Sequence, residues 1–165
     1  MPDLFTDGIP YSVTHQTPGA GATGQTSFAT TTPTFILYGS SLTKGVKLSS
    51  IELNQTGTVA GGAITVVVGV DTVVRYASGG TAVVPQIRHN SVTTASAYAF
   101  SFNATASDVA SRYVYQRTIP AALNTSLIID FGDEARIYGT GAILVWTYAS
   151  TTGPTWLFNF DYLER

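Results

Sequence analysis

The sequence predicts an all-β fold: an antiparallel two-sheet sandwich, with a jelly roll as the preferred topology, carrying an extended N-terminal arm. Three observations point there. Apolar residues recur at every second position in about eight to ten short runs, the spacing that turns one face of a strand inward. Gly, Pro and Asn punctuate those runs at short intervals, as the turns of a sandwich or barrel require. Helical periodicity is nearly absent, with short candidates only at Ser107–Ser111 and near Pro120–Leu123.

The elements follow in order. Residues 6–33 hold Gly8, Pro10, Pro18, Gly19, Gly21, Gly24 and Pro33 among many Thr and Ala, and show no hydrophobic period. This divides the chain into an arm, 1–33, and a sandwich domain, 34–165. The arm is either an untethered tail or, in the reading adopted, a segment that orders on a neighbouring subunit through Phe5, Tyr11 and Phe28. Removing it should then leave a folded sandwich. Thr34 to Tyr38 is β-branched and aromatic and stops at Gly39. Val46 and Leu48 share one parity, Ile51 and Leu53 the other, so a β-bulge is expected at Ser49-Ser50. Ile64, Val66, Val68 and Val70 alternate in a strand that bends at Gly69, and Val73–Tyr76 continues or pairs with it. Ser78-Gly79-Gly80 reads as a turn, and Pro85 confines Val83–Ile87 to an edge.

Tyr98, Phe100 and Phe102 alternate with small residues, and Arg112–Ile119 forms the next strand. Leu127, Ile129 and Phe131 point inward before a turn at Gly132-Asp133. A short strand, Ala135–Tyr138, ends at Gly139-Thr140-Gly141. Ala142–Tyr148 is apolar on both parities, as in a central strand covered on both sides. After Thr152-Gly153-Pro154, the last strand places Trp156, Phe158, Phe160 and Tyr162 on one face.

Composition narrows the function. The chain is 165 residues, 44% hydrophobic and only 11% charged, against about 25% charged in typical domains. Such a surface of Thr, Ser, Asn and Gly suits partial cover by other subunits. The net charge of -2 and the scattered cations provide no basic patch, so nucleic acid is not an expected partner. The most apolar run, 64–70, falls far short of the ~20 residues of a membrane span, and no secretion signal is expected. Without cysteine there is neither a disulfide framework nor thiol chemistry.

Catalytic and cofactor signatures are weak. His15 in the arm and His89 at a strand end read as surface or contact histidines. Gly19-Ala20-Gly21-Ala22-Thr23-Gly24 spells a dinucleotide-binding pattern but lacks the strand before and the helix after that such a site needs. Asp130-Phe131-Gly132 copies a kinase tripeptide without its partners and reads as a strand end and a turn. Asp130, Asp133 and Glu134 match no calcium-loop spacing. The triplets beginning at Asn54, Asn103 and Asn124 are glycosylation sequons that matter only in a eukaryotic secretory protein. Trp146 and Trp156 offer either core or interface packing or a sugar-stacking surface, the first being favoured by their place in alternating strands. No catalytic residue, metal or cofactor is therefore expected, and the chain is read as a non-enzyme.

Lys47-Leu48-Ser49-Ser50-Ile51-Glu52-Leu53, the run Arg75–Thr81, the turn Gly139-Thr140-Gly141 and the closing Tyr162-Leu163-Glu164-Arg165 together resemble β-sandwich proteins of tailed-bacteriophage particles. The resemblance is to the capsid decoration or minor structural kind and covers 47–165. It implies a virion protein, often a jelly roll and often a trimer, with no functional residue to carry over. The expected function is thus a capsid cement or decoration protein on the capsid surface, made in the host cytoplasm. Its partners would be the major capsid protein and neighbouring copies of itself. The alternatives are a tail, baseplate or head-fibre subunit, or a carbohydrate-binding adsorption module.

Overall fold

The computed structural model describes residues 8–39, 41–88, 95–107, 112–133 and 135–165. Thirteen strands lie among them: β1 (Ile9–Thr14), β2 (Ala22–Thr23), β3 (Phe35–Gly39), β4 (Gly45–Thr56), β5 (Ile64–Asp71), β6 (Tyr76–Val83), β7 (Gln86–Ile87), β8 (Tyr98–Ala106), β9 (Arg112–Ile119), β10 (Ser126–Asp130), β11 (Arg136–Tyr138), β12 (Gly141–Tyr148) and β13 (Thr155–Glu164). They form two antiparallel sheets packed as a sandwich. One runs β10-β4-β13-β1-β7, with β11 also on β4 and β2 also on β13. The other runs β6-β8-β3-β12-β5-β9. Successive strands change sheet at β3–β4–β5 and again at β11–β12–β13, a winding compatible with a jelly roll.

Alternation explains the core. In β13, Trp156, Phe158, Phe160, Tyr162 and Glu164 are all buried while the residues between them face outward. Phe158 and Phe160 meet Phe35 of β3 and Phe100 of β8, with ring centroids 4.9–5.7 Å apart. Offset and tilted rings at this spacing add to the area they bury. Leu127, Ile129 and Phe131 turn inward as predicted.

Two irregularities fall at or beside the places where the sequence slips phase. Ser50 pairs with Asp161 and Leu48 with Tyr162, so Ser49 is the extra residue of a bulge in β4. Val68 pairs with Tyr115 and Gly69 with Tyr113, so the break at Gly69 faces an extra Val114 in β9. That bulge lets Tyr115 pack towards Phe131 inside while Tyr113 packs on Trp146 outside.

β12 is covered on both faces. Ile143 and Val145 join the main core. Ala142, Leu144 and Trp146 form a second cluster with Ile36, Val67, Ala104 and Ala106 on the outer side of the six-stranded sheet. Tyr38 and Tyr76, stacked at 4.4 Å, pack against that cluster.

Four expectations need correction. The arm boundary at 33/34 does not hold, because β1 pairs with β13 over six residues and with β7, and β2 pairs with β13. Tyr11, Val13 and Ala22 lie in the core. Proline and glycine hid this strand: Ile9, Tyr11 and Val13 do alternate, but over too short a run to stand out from the loop residues around it. Ser78-Gly79-Gly80 is not a turn but the middle of β6. Gly79 and Gly80 have φ of 69° and 74°, and a Cβ on Gly80 would lie 2.7 Å from the Phe102 carbonyl oxygen. Glycine there serves a close strand approach. Val83 ends β6, so the expected edge segment 83–87 is divided, with β7 going to the other sheet and Pro85 at the crossing. Residues 120–122 are irregular and lead into a turn at Leu123-Asn124 rather than a helix, and the Ser107–Ser111 candidate lies largely outside the described residues.

Candidate interaction surface

The two most exposed large hydrophobic residues among the described ones are Leu42, 84% accessible, and Tyr138, 70% accessible. Both line one shallow depression of about 240 Å³, with Thr43, Lys44, Gly45, Gly139 and Arg165. Local rules put them there. In β11, Ile137 faces the core, so Tyr138 must face out. Its ring lies over Gly45, where a Cβ would come within 2.8 Å of Cδ1. In the loop before β4, the Ser41 hydroxyl oxygen accepts from the Lys44 amide at 3.2 Å, which folds the chain back and leaves Leu42 at its tip.

The depression is firmly backed. The Lys44 carbonyl accepts from the Gly139 amide (2.8 Å) and from the Tyr98 hydroxyl (3.0 Å). Gly45 and Arg165 exchange two backbone hydrogen bonds of 2.8 and 3.0 Å. Behind them sits Glu164, 1% accessible. Its carboxylate accepts from the Ser96 hydroxyl (2.7 Å) and the Ala97 amide (3.0 and 3.1 Å), with the Lys44 ammonium 3.7 Å away. Ser96 is also within 2.8 Å of the Tyr162 hydroxyl. Burial, with the nearby Glu164 charge adding to it, raises the phenols of Tyr11 and Tyr98 above their usual 10. Tyr162 rises for the same reasons, its Ser96 hydrogen bond partly opposing.

Next to the depression, and sharing Gly45, Tyr138 and Arg165 with it, a groove of about 310 Å³ crosses the outer face of the seven-stranded sheet. Gly8, Val46, Lys47, Arg136 and Leu163 complete its walls. Lys47 reaches Asp133 at 2.7 Å, and Arg136 pairs with the same carboxylate. Their hydrogen bonds, Lys47 foremost, hold the Asp133 carboxyl below its ordinary value. Apolar walls edged by fixed cations suit contact with another polypeptide.

The residues singled out from sequence are not brought together here. Phe5 lies outside the described residues. Tyr11, expected to reach a neighbour, is instead 1% accessible and stacked on Tyr162 at 5.4 Å. Phe28 remains 38% accessible, but its ring packs on Trp146, Tyr148 and Tyr113 of its own chain. Neither tryptophan offers a free face. Trp156 is fully buried and donates to the Thr147 hydroxyl at 2.9 Å, which in turn meets Thr34 at 2.9 Å. Trp146 lies beneath Phe28 and Tyr113, its indole N–H without a hydrogen-bond partner among the described residues. His15 is tilted against Phe102, and His89 and Glu134 lie outside the described residues. The Gly19–Gly24 pattern falls on the loop leading into β2 and on β2 itself.

Sequence reasoning missed Glu164 and Leu42. For Glu164 the signal was present, since the parity of Trp156 through Tyr162 continues to it. For Leu42 there was none, because a lone leucine in a Ser/Thr loop has no period. No protein-family model, curated protein or solved structure matches the chain.

Proposed function

We propose that this chain is a non-enzymatic structural protein of a tailed-phage particle, a capsid cement or decoration protein. It would act on the capsid surface as a homo-oligomer, a trimer being favoured, against the major capsid protein and its own neighbours. The observation that carries this reading is the exposed pair Leu42 and Tyr138 on a rigidly backed end of the sandwich. An apolar patch held in place by six backbone and side-chain hydrogen bonds keeps its shape when a partner arrives, so little ordering entropy opposes binding. Repetition over many copies multiplies a modest contact into a stable shell. The low proportion of charged residues, 11%, and the phage-protein resemblance of 47–165 support the same reading.

Quantitative mass spectrometry of purified particles tests it. A copy number comparable with that of the major capsid protein is expected. A handful of copies would move the protein to the tail, baseplate or head fibre, and absence from particles would overturn the virion reading. The sugar-binding alternative loses its proposed platform, because both tryptophans are packed under other side chains.

A further inference from the structure

The path of the seven-stranded sheet ends at β10 and β7, and that of the six-stranded sheet at β6 and β9. An open edge is a template for a further strand, and proteins blunt it with bulges, kinks, proline or charge. Three of these ends are blunted. β6 breaks register between Tyr76 and Ser78 and carries Gly79 and Gly80 at positive φ. β9 carries the extra Val114 and exposes Arg112 and Arg117. β7 is two residues long and follows Pro85. β10 differs. Ser126-Leu127-Ile128-Ile129-Asp130 keeps one register along β4, holds no glycine or proline, and exposes Ile128 to 61% at its centre. The direction of its hydrogen bonds is fixed at both ends. The Phe131 amide donates to the Ser49 carbonyl at 3.1 Å, and the Gln55 amide donates to the Thr125 carbonyl at 3.0 Å. In an antiparallel ladder of unbroken register, Leu127 and Ile129 between them therefore also face β4. The amides and carbonyls of Ser126, Ile128 and Asp130 point the other way, where no strand among the described residues pairs with them.

We propose that this edge pairs with the same edge of a second copy, β10 against β10 about a two-fold axis at Ile128, fusing two seven-stranded sheets into one. The edge is self-complementary. Antiparallel pairing centred on Ile128 sets Ile128 against Ile128 and Ser126 against Asp130, so each carboxylate meets a hydroxyl donor and no like charges face each other. Each of the three outward-facing pairs exchanges two backbone hydrogen bonds. Five residues a side is a small contact beside the ~20–30 of a stable interface, so the pair is weak in dilute protein and fills where copies are crowded. The pairing holds or fails separately from the virion reading, which copy number per particle decides. In a trimeric assembly it would join one trimer to the next.

The test uses the full chain, which has no cysteine of its own. Ser126→Cys, Ile128→Cys and Asp130→Cys each change an exposed side chain and leave the core intact. Residues opposite each other in hydrogen-bonded pairs have Cα atoms ~5.5 Å apart, within disulfide reach. Ile128→Cys should therefore cross-link to itself, and Ser126→Cys to Asp130→Cys in a mixture. Ser126→Cys alone should not, because its two copies lie four residues out of register, ~13 Å apart. Amide exchange in the unmodified chain gives a second readout. From micromolar to millimolar protein, the Ser126, Ile128 and Asp130 amides should slow several-fold while those of Leu127 and Ile129 stay constant. Unchanged exchange of the three outward amides overturns the proposal. So does cross-linking of Ser126→Cys to itself as fast as to Asp130→Cys, which would mean random collision or another register. Slowing that appears only when a different polypeptide is added would give the edge to that partner and overturn the self-pairing.

Discussion

Glu164→Ala is the most informative single perturbation of the fold. The Glu164 carboxylate ties β13 to the segment entering β8 through the Ser96 hydroxyl and the Ala97 amide. Truncation strands both donors beside a buried cavity. A buried donor left unpaired costs roughly 1–3 kcal/mol, and Ser96 can turn its hydroxyl elsewhere, so the loss should be about 2–4 kcal/mol. The Lys44 ammonium contributes little, being 3.7 Å away and over a third exposed. For a chain of this size that corresponds to a fall in Tm of about 5–15 °C. Urea unfolding followed by tryptophan fluorescence measures it, with the slope checked for constancy. Glu164→Gln retains one acceptor oxygen and should recover about half the loss. A Glu164→Ala protein within about 0.5 kcal/mol of the parent, at unchanged slope, would refute the view that this buried carboxylate organises the end of the sandwich.

Four further outcomes follow from the same contacts. Leu42→Ser with Tyr138→Ser should leave stability within about 0.5 kcal/mol, because both side chains are exposed, yet abolish binding to capsids or self-association measured by sedimentation. Phe28→Ala should cost about 1–2 kcal/mol and shift Trp146 emission to the red as its cover is removed. Raising the pH above 10 should destabilise the fold: the buried phenols of Tyr11, Tyr98 and Tyr162 have raised values, so their contribution is complete below 10 and declines as pH rises through the folded values. Asp133 has the opposite sign, contributing above its unfolded value near 3.8 and losing that contribution as pH falls through its lower folded value; its carboxyl titration by NMR should therefore lie below 3.8 and move part of the way back in Lys47→Ala, where Arg136 still pairs with it.

The strands that sequence reveals are those whose side chains alternate over long runs. β13 shows five inward residues in a row of ten, and β4 shows even its bulge, because a phase slip at Ser49-Ser50 has no other cause in a strand buried on one face. β6 fails for the converse reason. It is an edge strand, exposed from Ala77 to Ala82, so no burial pattern constrains it, and its two glycines look like a turn. β1 is short and begins with Ile9-Pro10 among loop residues. The interaction surface was less legible still. Exposure of Tyr138 depends on the parity of a three-residue strand, and its proximity to Leu42 depends on pairing between β11 and β4, segments some ninety residues apart. Pairing of that kind leaves no mark in local periodicity.

The apolar run of β12 explains why the first thirty residues cannot be a detachable arm. A strand apolar on both parities requires cover on both faces. The seven-stranded sheet supplies one cover, and segment 24–34 supplies part of the other. Gln25 bridges Thr147 and Ala149 through backbone hydrogen bonds of 2.8 and 3.1 Å, Thr31 accepts from the Ala106 amide at 2.9 Å, and Phe28 lies on Trp146. Deleting 1–33 would therefore remove Tyr11 and Val13 from the core, roughly 3–6 kcal/mol at ~1.5–3 kcal/mol each, and strip β13 of its β1 and β2 partners. It would also expose Trp146. Set against a total stability of about 5–15 kcal/mol, that loss should abolish cooperative folding. Far-ultraviolet circular dichroism and a urea titration of the truncated chain decide the matter. A cooperative transition with parental strand content would mean that the sandwich stands without its first strand, and would restore the free arm as the contact element. A broad, non-cooperative transition would leave capsid contact to the surface built from Leu42 and Tyr138.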